Sequence, residues 1–188
     1  MKQFILAIGL LAASTAFAGD WYGSATYDQK DKQNSAQVNH VYGVNIGNKL
    51  GDGWVAEGRM ENEKVSVGDG TQKQEGLMHV KLTKEIDTGT FLTPYAGVAL
   101  GQKNKSTSDF AFWVGEVGVK AKLNDTFSVK YNWRQRTAFD SVNDYDTKEN
   151  SVSLGINLTK VDAVSVSYKQ ERGTSDYNTT GVAYTRSF

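Results

Sequence analysis

The chain has 188 residues, and its 21 basic and 21 acidic side chains give a formal net charge of zero at pH 7. This balance argues against a nucleic-acid partner, because such proteins usually carry a basic excess. The absence of cysteine excludes a disulfide framework and a lipid-modified cysteine. After residue 18 there is no run of about 18 apolar residues, which excludes a transmembrane helix. The length is sufficient for one domain.

The first 18 residues have the three parts of a secretory signal peptide. Lys2 supplies a positive charge, residues 4–13 form an apolar stretch, and residues 16–18 (Ala-Phe-Ala) match a small-residue cleavage site. The apolar stretch is too short to span a bilayer as a helix. We therefore predict a cleaved signal peptide over residues 1–18 and one exported domain over residues 19–188.

The first half of that domain alternates apolar and polar side chains, which predicts five strands. These strands begin near Trp21, Val38, Trp54, Met78 and Leu92. Turn residues separate them at 51–53 and 87–89, and longer polar connections are predicted over 29–36, 62–74 and 102–108. The connection 62–74 is expected to be the longest.

The second half repeats the pattern and predicts five more strands. They begin near Trp113, Phe127, Val152, Val164 and Asn178. Tight turns are predicted at 124–125 and 160–162, and longer connections at 140–147 and 172–177. Tyr145, in the connection 140–147, is expected to be available to a surface partner. No segment shows helical periodicity.

The predicted fold class is all-β, a closed antiparallel transmembrane β-barrel of ten strands, with eight or twelve strands as alternatives. Tight connections alternate with longer polar ones, as periplasmic turns and external loops do in outer-membrane barrels. A secreted antiparallel sandwich is the competing interpretation. It would leave two sheet edges to shelter, whereas a closed barrel has none.

Aromatic side chains lie at both ends of the apolar strand faces. Those near the predicted periplasmic end are Trp21, Trp54, Phe127 and Phe188, and those near the outer end are Tyr27, Trp113, Trp133 and Tyr168. Two such rings of aromatic residues are typical of a barrel that crosses both lipid interfaces.

Charged residues on the opposite, inward phase define the candidate site. The five acids and eight bases predicted to line the lumen are Glu57, Arg59, Glu61, Glu63, Lys81, Glu116, Lys120, Lys122, Lys130, Arg134, Arg136, Lys169 and Glu171. The acids concentrate on the third strand and the bases on the sixth and seventh strands. The lumen of a ten-stranded barrel is narrow, little wider than one that side chains fill.

Two functions fit this lumen. In a non-conducting structural barrel the charges pair with one another and plug the interior. In a narrow porin-like channel, the basic excess weakly favours anions. Small inward residues leave space for a channel along part of the wall: Gly97, Ala99, Gly101, Gly155, Ser165 and Ser167.

For the channel, the sequence predicts two walls of opposite charge. The basic wall consists of Lys120, Lys122, Lys130, Arg134 and Arg136, and the acidic wall of Glu57, Glu61 and Glu63. Neutralising Arg134 and Arg136 together is predicted to reduce anion selectivity.

The terminal sequence Tyr184-Thr185-Arg186-Ser187-Phe188, with the signal peptide and the alternating segments, resembles small outer-membrane β-barrel proteins of Gram-negative bacteria. Residues 95–98 (Tyr-Ala-Gly-Val) are similar to strands of OmpA-like barrels. The short loops and inward arginines are similar to monomeric oligogalacturonate-type porins, which are expected to have twelve strands where this chain supplies ten. The resemblance implies a monomer in the outer membrane. Its partners would be membrane lipid, lipopolysaccharide and the barrel-assembly machinery, which would act on the strand ending at Phe188.

An outer-membrane enzyme is a remote alternative. Its site would need a histidine beside a carboxylate or a serine. His40 lies on the apolar phase, and His79 lies on the lumen phase near Glu75. The inward charges do not suit the apolar lumen of an acyltransferase. No glycine-rich phosphate loop or metal-ligand cluster appears, so no catalytic residue, cofactor or metal is predicted.

Overall fold

The computed structural model describes residues 20–66, 72–105, 108–143, 145–174 and 176–188, and the predicted signal peptide lies outside them. Within these residues the chain forms ten strands: β1 (Asp20–Lys32), β2 (Val38–Gly51), β3 (Trp54–Ser66), β4 (Gln72–Glu85), β5 (Leu92–Asn104), β6 (Asp109–Lys122), β7 (Phe127–Ala138), β8 (Thr147–Asn157), β9 (Asp162–Gly173) and β10 (Tyr177–Ser187). A short 3-10 helix, Ser141–Asn143, lies between β7 and β8. In this described part, no helix has the length and apolar character needed to cross a membrane.

The strands close into one antiparallel barrel. Each strand pairs with its neighbours in the chain, and β1 pairs with β10 from Tyr22 opposite Ser187 to Lys32 opposite Tyr177. Every strand therefore has two hydrogen-bonded neighbours, which leaves no open sheet edge. The predicted closed barrel of ten strands is confirmed, and the alternatives of eight and twelve strands are not.

The alternation along each strand gives the barrel an apolar exterior. On β2, the side chains of Tyr42, Val44 and Ile46 are 48%, 55% and 42% exposed, whereas Asn39 and Val41 face inward and are almost fully buried. A water-soluble barrel would place its apolar face inside. This distribution instead suits strands whose outer surface meets lipid.

The two ends of the barrel differ in what they carry. The end with Asp20 and Ser187 also carries the connections 52–53, 86–91, 123–126 and 158–161, and we call it the turn end; the opposite end is the loop end. Exposed aromatic side chains occur near both ends. They are Trp54, Phe127 and Phe188 toward the turn end, and Tyr27, Trp113 and Tyr168 toward the loop end.

The strands run further into the loop end than the sequence predicted. Part of the connection expected over 62–74 belongs to strands, because β3 continues to Ser66 and β4 begins at Gln72; residues 67–71 lie outside the described residues. A tilted strand needs about 9–11 residues to cross the hydrocarbon, and these strands have 11 to 14. Backbone pairing thus continues beyond the apolar band. There both faces of a strand carry polar side chains, so the apolar–polar alternation used to predict strands is absent.

The tightest connection, between β2 and β3, depends on two glycines. Gly51, Asp52 and Gly53 all have positive φ angles, of 90°, 49° and 75°. A Cβ atom on Gly53 would lie 2.2 Å from the carbonyl oxygen of Glu85. Glycine is therefore required at position 53 both for its conformation and for the close approach of β4.

Candidate functional site in the barrel interior

The interior contains most of the charged side chains that the sequence predicted to line it. The structure places eleven of the thirteen there, buried or half-buried: Glu57, Arg59, Glu61, Glu63, Lys81, Glu116, Lys130, Arg134, Arg136, Lys169 and Glu171. Strand alternation positions them, because every second residue of each strand points to the same face.

Lys120 and Lys122 lie at the turn end of β6 and are the two exceptions. The Lys120 side chain is 41% exposed and contacts Glu85. Lys122 is 64% exposed, and its Nζ lies 2.7 Å from Oδ1 of Asp125 in the β6–β7 turn. The hydrogen bond and charge of Lys122 lower the pKa of the Asp125 carboxyl. Lys122 is therefore a surface residue of the turn, and Lys120 stands at the mouth.

One lysine holds two carboxylates in the half of the interior nearer the turn end. Nζ of Lys81 lies 3.2 Å from Oε1 of Glu57 and 3.3 Å from Oε1 of Glu116. The hydroxyl of Tyr22 donates a 2.9 Å hydrogen bond to the other oxygen of Glu57. These four side chains, the Lys81 cluster, come from β1, β3, β4 and β6 and narrow the interior at this level.

A second set of ion pairs lies on the loop side of the Lys81 cluster. Arg59 contacts Glu61 at 2.5 Å, and Lys169 contacts Asp28 at 2.5 Å. Arg59 also lies 4.0 Å from Asp28, which joins the two pairs. Pairing of this kind offsets the free-energy cost of removing a charge from water.

Further toward the loop end, Lys30 connects two acids from different strands. Its Nζ lies 3.4 Å from Glu63 on β3 and 3.7 Å from Glu171 on β9. Arg136 on β7 approaches the same Glu171 at 3.9 Å. These contacts link strands that are not hydrogen-bonded to each other, so the charges bridge within the interior and do not form two separate walls.

Sequence reasoning missed five charged residues that pair within the barrel: Asp28, Lys30, Glu75, Lys103 and Glu149. Lys103 contacts Glu75 at 2.8 Å, and Arg134 contacts Glu149 at 2.6 Å. Lys30 and Lys103 fell in predicted connections that the longer β1 and β5 absorb. Continuing the alternation past the predicted strand ends, by one or two further inward-facing residues, would have identified them.

The additional residues remove the predicted excess of bases. The interior acids are Asp28, Glu57, Glu61, Glu63, Glu75, Glu116, Glu149 and Glu171. The interior bases are Lys30, Arg59, Lys81, Lys103, Lys130, Arg134, Arg136 and Lys169. Among the described residues the two sets are equal in number, so the overall charge of the interior favours neither anions nor cations.

Neighbouring side chains fill the space beside small residues that was expected to remain open. A Cβ atom on Gly97 would lie 2.9 Å from Thr83 Oγ1 and 3.1 Å from Glu116 Oε1, and one on Gly101 would lie 2.5 Å from the Phe112 ring. Gly97 and Gly101 therefore accommodate side chains that lie flat on the barrel wall. The wall is not widened at these positions.

An aromatic cluster occupies the loop end of the interior, and the sequence analysis did not predict it. Phe112 is fully buried, and Tyr145 packs against Phe110 and Phe112 with ring centroids 4.9 and 5.6 Å apart. Arg136 Nη1 donates a 2.6 Å hydrogen bond to the Tyr145 hydroxyl. The prediction that Tyr145 is available to a surface partner is wrong, because the β7–β8 connection places it inside the barrel mouth.

A cavity of about 190 Å³ remains between the ion pairs and the aromatic cluster. Its lining combines charges of both signs with two tyrosines, Tyr145 and Tyr177, and includes Glu61, Arg134 and Glu149. The cavity is large enough for several water molecules. It shows that the loop half of the interior is polar and only partly filled.

The two histidines are not arranged as catalytic bases. His40 Nδ1 is 2.8 Å from the Tyr27 hydroxyl, and His79 meets the edge of the Phe112 ring. Nδ1 of His79 is buried without a hydrogen-bond partner among the described residues. Over the same residues, no three His, Asp or Glu side chains are grouped as metal ligands would be.

A closed antiparallel barrel with an apolar exterior and a charged interior is the architecture of transmembrane barrels of outer membranes. Residues 4–159 match the family model described as outer membrane protein beta-barrel domain, and the chain belongs to this family. Membership implies a location in the outer membrane. A search of curated proteins gave no significant match.

Solved structures show the same fold at low sequence identity. An outer-membrane channel of Pseudomonas putida F1 aligns with a TM-score of 0.64 and 10% identity, covering 90% of this chain and 96% of that one. The KdgM porin aligns with a TM-score of 0.54 and 12% identity, covering 88% and 99%. The translocator domain of the autotransporter NalP from Neisseria meningitidis gives 0.51 and 9%, covering 100% and 96%. At these identities the similarity concerns the fold.

Proposed function

We propose that this protein is a porin-like barrel with a narrow polar lumen that passes water and small ions at low conductance. The observation that carries the proposal is the polar interior, which extends from the Lys81 cluster to the 190 Å³ cavity near the loop end. A lumen lined by charged side chains holds water, and water supports the passage of ions.

The ion pairs limit what such a channel passes. The Lys81 cluster and the Arg59–Glu61 pair project from the wall at successive levels. A ten-stranded barrel is only slightly wider than the eight-stranded barrels that side chains fill. We therefore expect single ions and water to pass and sugars to be excluded.

A non-conducting structural barrel is the second candidate, and a specific observation favours it. Lys30 with Glu171 and Lys81 with Glu116 join strands that are separated by another strand. Such bridges stiffen the interior and close part of its cross-section. In that case the charges stabilise the barrel, and its role lies in the membrane or at its surface.

Single-channel recording in a planar bilayer separates the two candidates. The refolded protein is first shown to be a barrel by its heat-modifiable migration in gel electrophoresis. We expect small discrete current steps in potassium chloride. The absence of current steps from protein that is correctly folded by this criterion would contradict the channel function and favour the structural barrel.

The remaining partners follow from the outer surface and the closing strand. We propose that membrane lipid and lipopolysaccharide surround a monomer, that residues 1–18 direct its export, and that no reaction is catalysed. We also propose that the barrel-assembly machinery recognises Phe188, which is 79% exposed. Phe188→Ala should then lower the amount of heat-modifiable barrel in the outer-membrane fraction, and unchanged assembly would contradict this role.

A further inference from the structure

Lys130 differs from the other interior bases in its surroundings. Each of the others has a carboxylate oxygen within 4.0 Å: Lys30, Arg59, Lys81, Lys103, Arg134, Arg136 and Lys169. In the described part of the chain, no carboxylate oxygen lies that close to Nζ of Lys130. Lys130 is half-buried on β7, in the half of the interior nearer the turn end.

An aromatic ring stands where a carboxylate would be expected. Nζ of Lys130 lies 4.8 Å from the centroid of the Tyr95 ring. Nζ of Lys120, directly opposite Lys130 on β6, lies 5.7 Å from the same ring but contacts Glu85. A ring face attracts a cation more weakly than a carboxylate does, and it leaves the ammonium group able to bind an anion.

The position of the Tyr95 ring is fixed by its neighbours. Its hydroxyl donates a 2.8 Å hydrogen bond to Oδ1 of Asn132 on β7. Between them lies Gly118 on β6, where a Cβ atom would be 2.3 Å from the Tyr95 hydroxyl oxygen. Tyr95 therefore lies along the wall across β6, and Lys130 rests on a preorganised surface.

The charges around Lys130 explain why its own charge matters. Glu57 and Glu116 share Lys81, so the Lys81 cluster has one more carboxylate than ammonium group. Lys130 supplies the balancing charge from beyond contact distance. The positive charge that balances the cluster thus lies on β7. Removal of the Lys130 charge would leave this level of the lumen with a net negative charge.

We propose that Lys130 forms a binding site for a small inorganic anion such as chloride and determines the charge selectivity of the lumen. The selectivity part of this inference rests on the proposed channel function. The earlier expectation for Arg134 and Arg136 is thereby replaced, because Arg134 is held by Glu149 at 2.6 Å and Arg136 by the Tyr145 hydroxyl at 2.6 Å.

The test is the reversal potential in a potassium chloride gradient. Lys130→Gln should reduce the anion-to-cation permeability ratio roughly tenfold, which corresponds to about 1.4 kcal/mol. Lys130→Glu should make the channel cation-selective, and Lys130→Arg should preserve the wild-type ratio. Lys122→Gln is the matched control, because it removes the same charge from an exposed position on the neighbouring strand. An unchanged ratio in Lys130→Glu would overturn the assignment.

A second readout does not depend on conduction. The temperature at which the folded band converts to the unfolded band is measured with chloride replaced by gluconate at constant ionic strength. Chloride should raise this temperature for the wild type but not for Lys130→Gln, while Lys122→Gln should behave as the wild type. If the wild type is silent in the bilayer yet shows this chloride effect, the anion site stands and the channel function fails. If chloride has the same effect on wild type and Lys130→Gln, the anion site fails.

Discussion

Replacing Lys81 with methionine should lower the free energy of unfolding of the barrel by about 3–5 kcal/mol, because it leaves buried carboxylates without their partner. Lys81 is the shared cation of Glu57 and Glu116, at 3.2 and 3.3 Å. Methionine retains most of the side-chain volume, so the loss reports mainly the charge. Urea unfolding of the protein in lipid vesicles measures it.

Two further variants make the Lys81 result specific. Lys122→Met removes a lysine that is 64% exposed, and such a surface change should stay within about 0.5 kcal/mol. Adding Glu57→Gln and Glu116→Gln to Lys81→Met removes the unpaired carboxylates and should restore part of the stability. A Lys81→Met protein as stable as Lys122→Met would show that the pairs contribute nothing.

Replacing Tyr145 with alanine should release the β7–β8 connection from the barrel mouth. The ring contacts Phe110 and Phe112, and the hydroxyl oxygen accepts a hydrogen bond from Arg136. Loss of a buried aromatic side chain costs about 3 kcal/mol, which raises the population of the released connection roughly a hundredfold. Limited proteolysis of the folded barrel should show faster cleavage in this connection, and conducting protein should show larger current steps.

Tyr145→Phe serves as the control for that experiment. It keeps the ring contacts and removes only the hydroxyl, so its cleavage rate should lie between those of the wild type and Tyr145→Ala. If Tyr145→Ala is cleaved at the wild-type rate, the aromatic cluster does not hold the connection in place.

The strands and their orientation could be predicted because the outer face of this barrel is apolar in the central band of each strand. On β7, Val129 and Tyr131 face outward while Lys130 and Asn132 face inward, as the alternation indicates. Beyond the apolar band the apolar–polar alternation disappears, since both faces of each strand carry polar side chains there. Lys30, Lys103 and Glu149 were missed for this reason, although the backbone pairing includes them.

The aromatic cluster was missed for the opposite reason. Residues 110–114 read Phe-Ala-Phe-Trp-Val, so both faces of β6 are apolar at this point and no alternation is visible. Phe110, Phe112 and Val114 in fact face inward and are buried. Their position follows only from the register with β5 and from the β7–β8 connection that covers them.

The pairing of charges depends on contacts that a sequence pattern does not contain. Alternation correctly places Glu57 and Lys81 inside, but it does not show that Glu116 reaches the same lysine across the intervening β5. Likewise, nothing in the pattern distinguishes Lys130 from Arg134 on β7. The distinction lies in Tyr95 and Glu149, which come from β5 and β8.

Single-cysteine labelling tests most directly that this barrel spans a membrane around a water-containing interior. The chain has no cysteine, so Ser167→Cys and Val166→Cys each introduce a unique thiol on adjacent residues of β9. Ser167 faces the interior and Val166 is 55% exposed on the outer surface. In lipid vesicles, a water-soluble maleimide should label the protein carrying Ser167→Cys, and only a bilayer-soluble maleimide should label the one carrying Val166→Cys. Labelling of Val166→Cys but not Ser167→Cys by the water-soluble reagent would contradict both the orientation of the strands and the polar lumen.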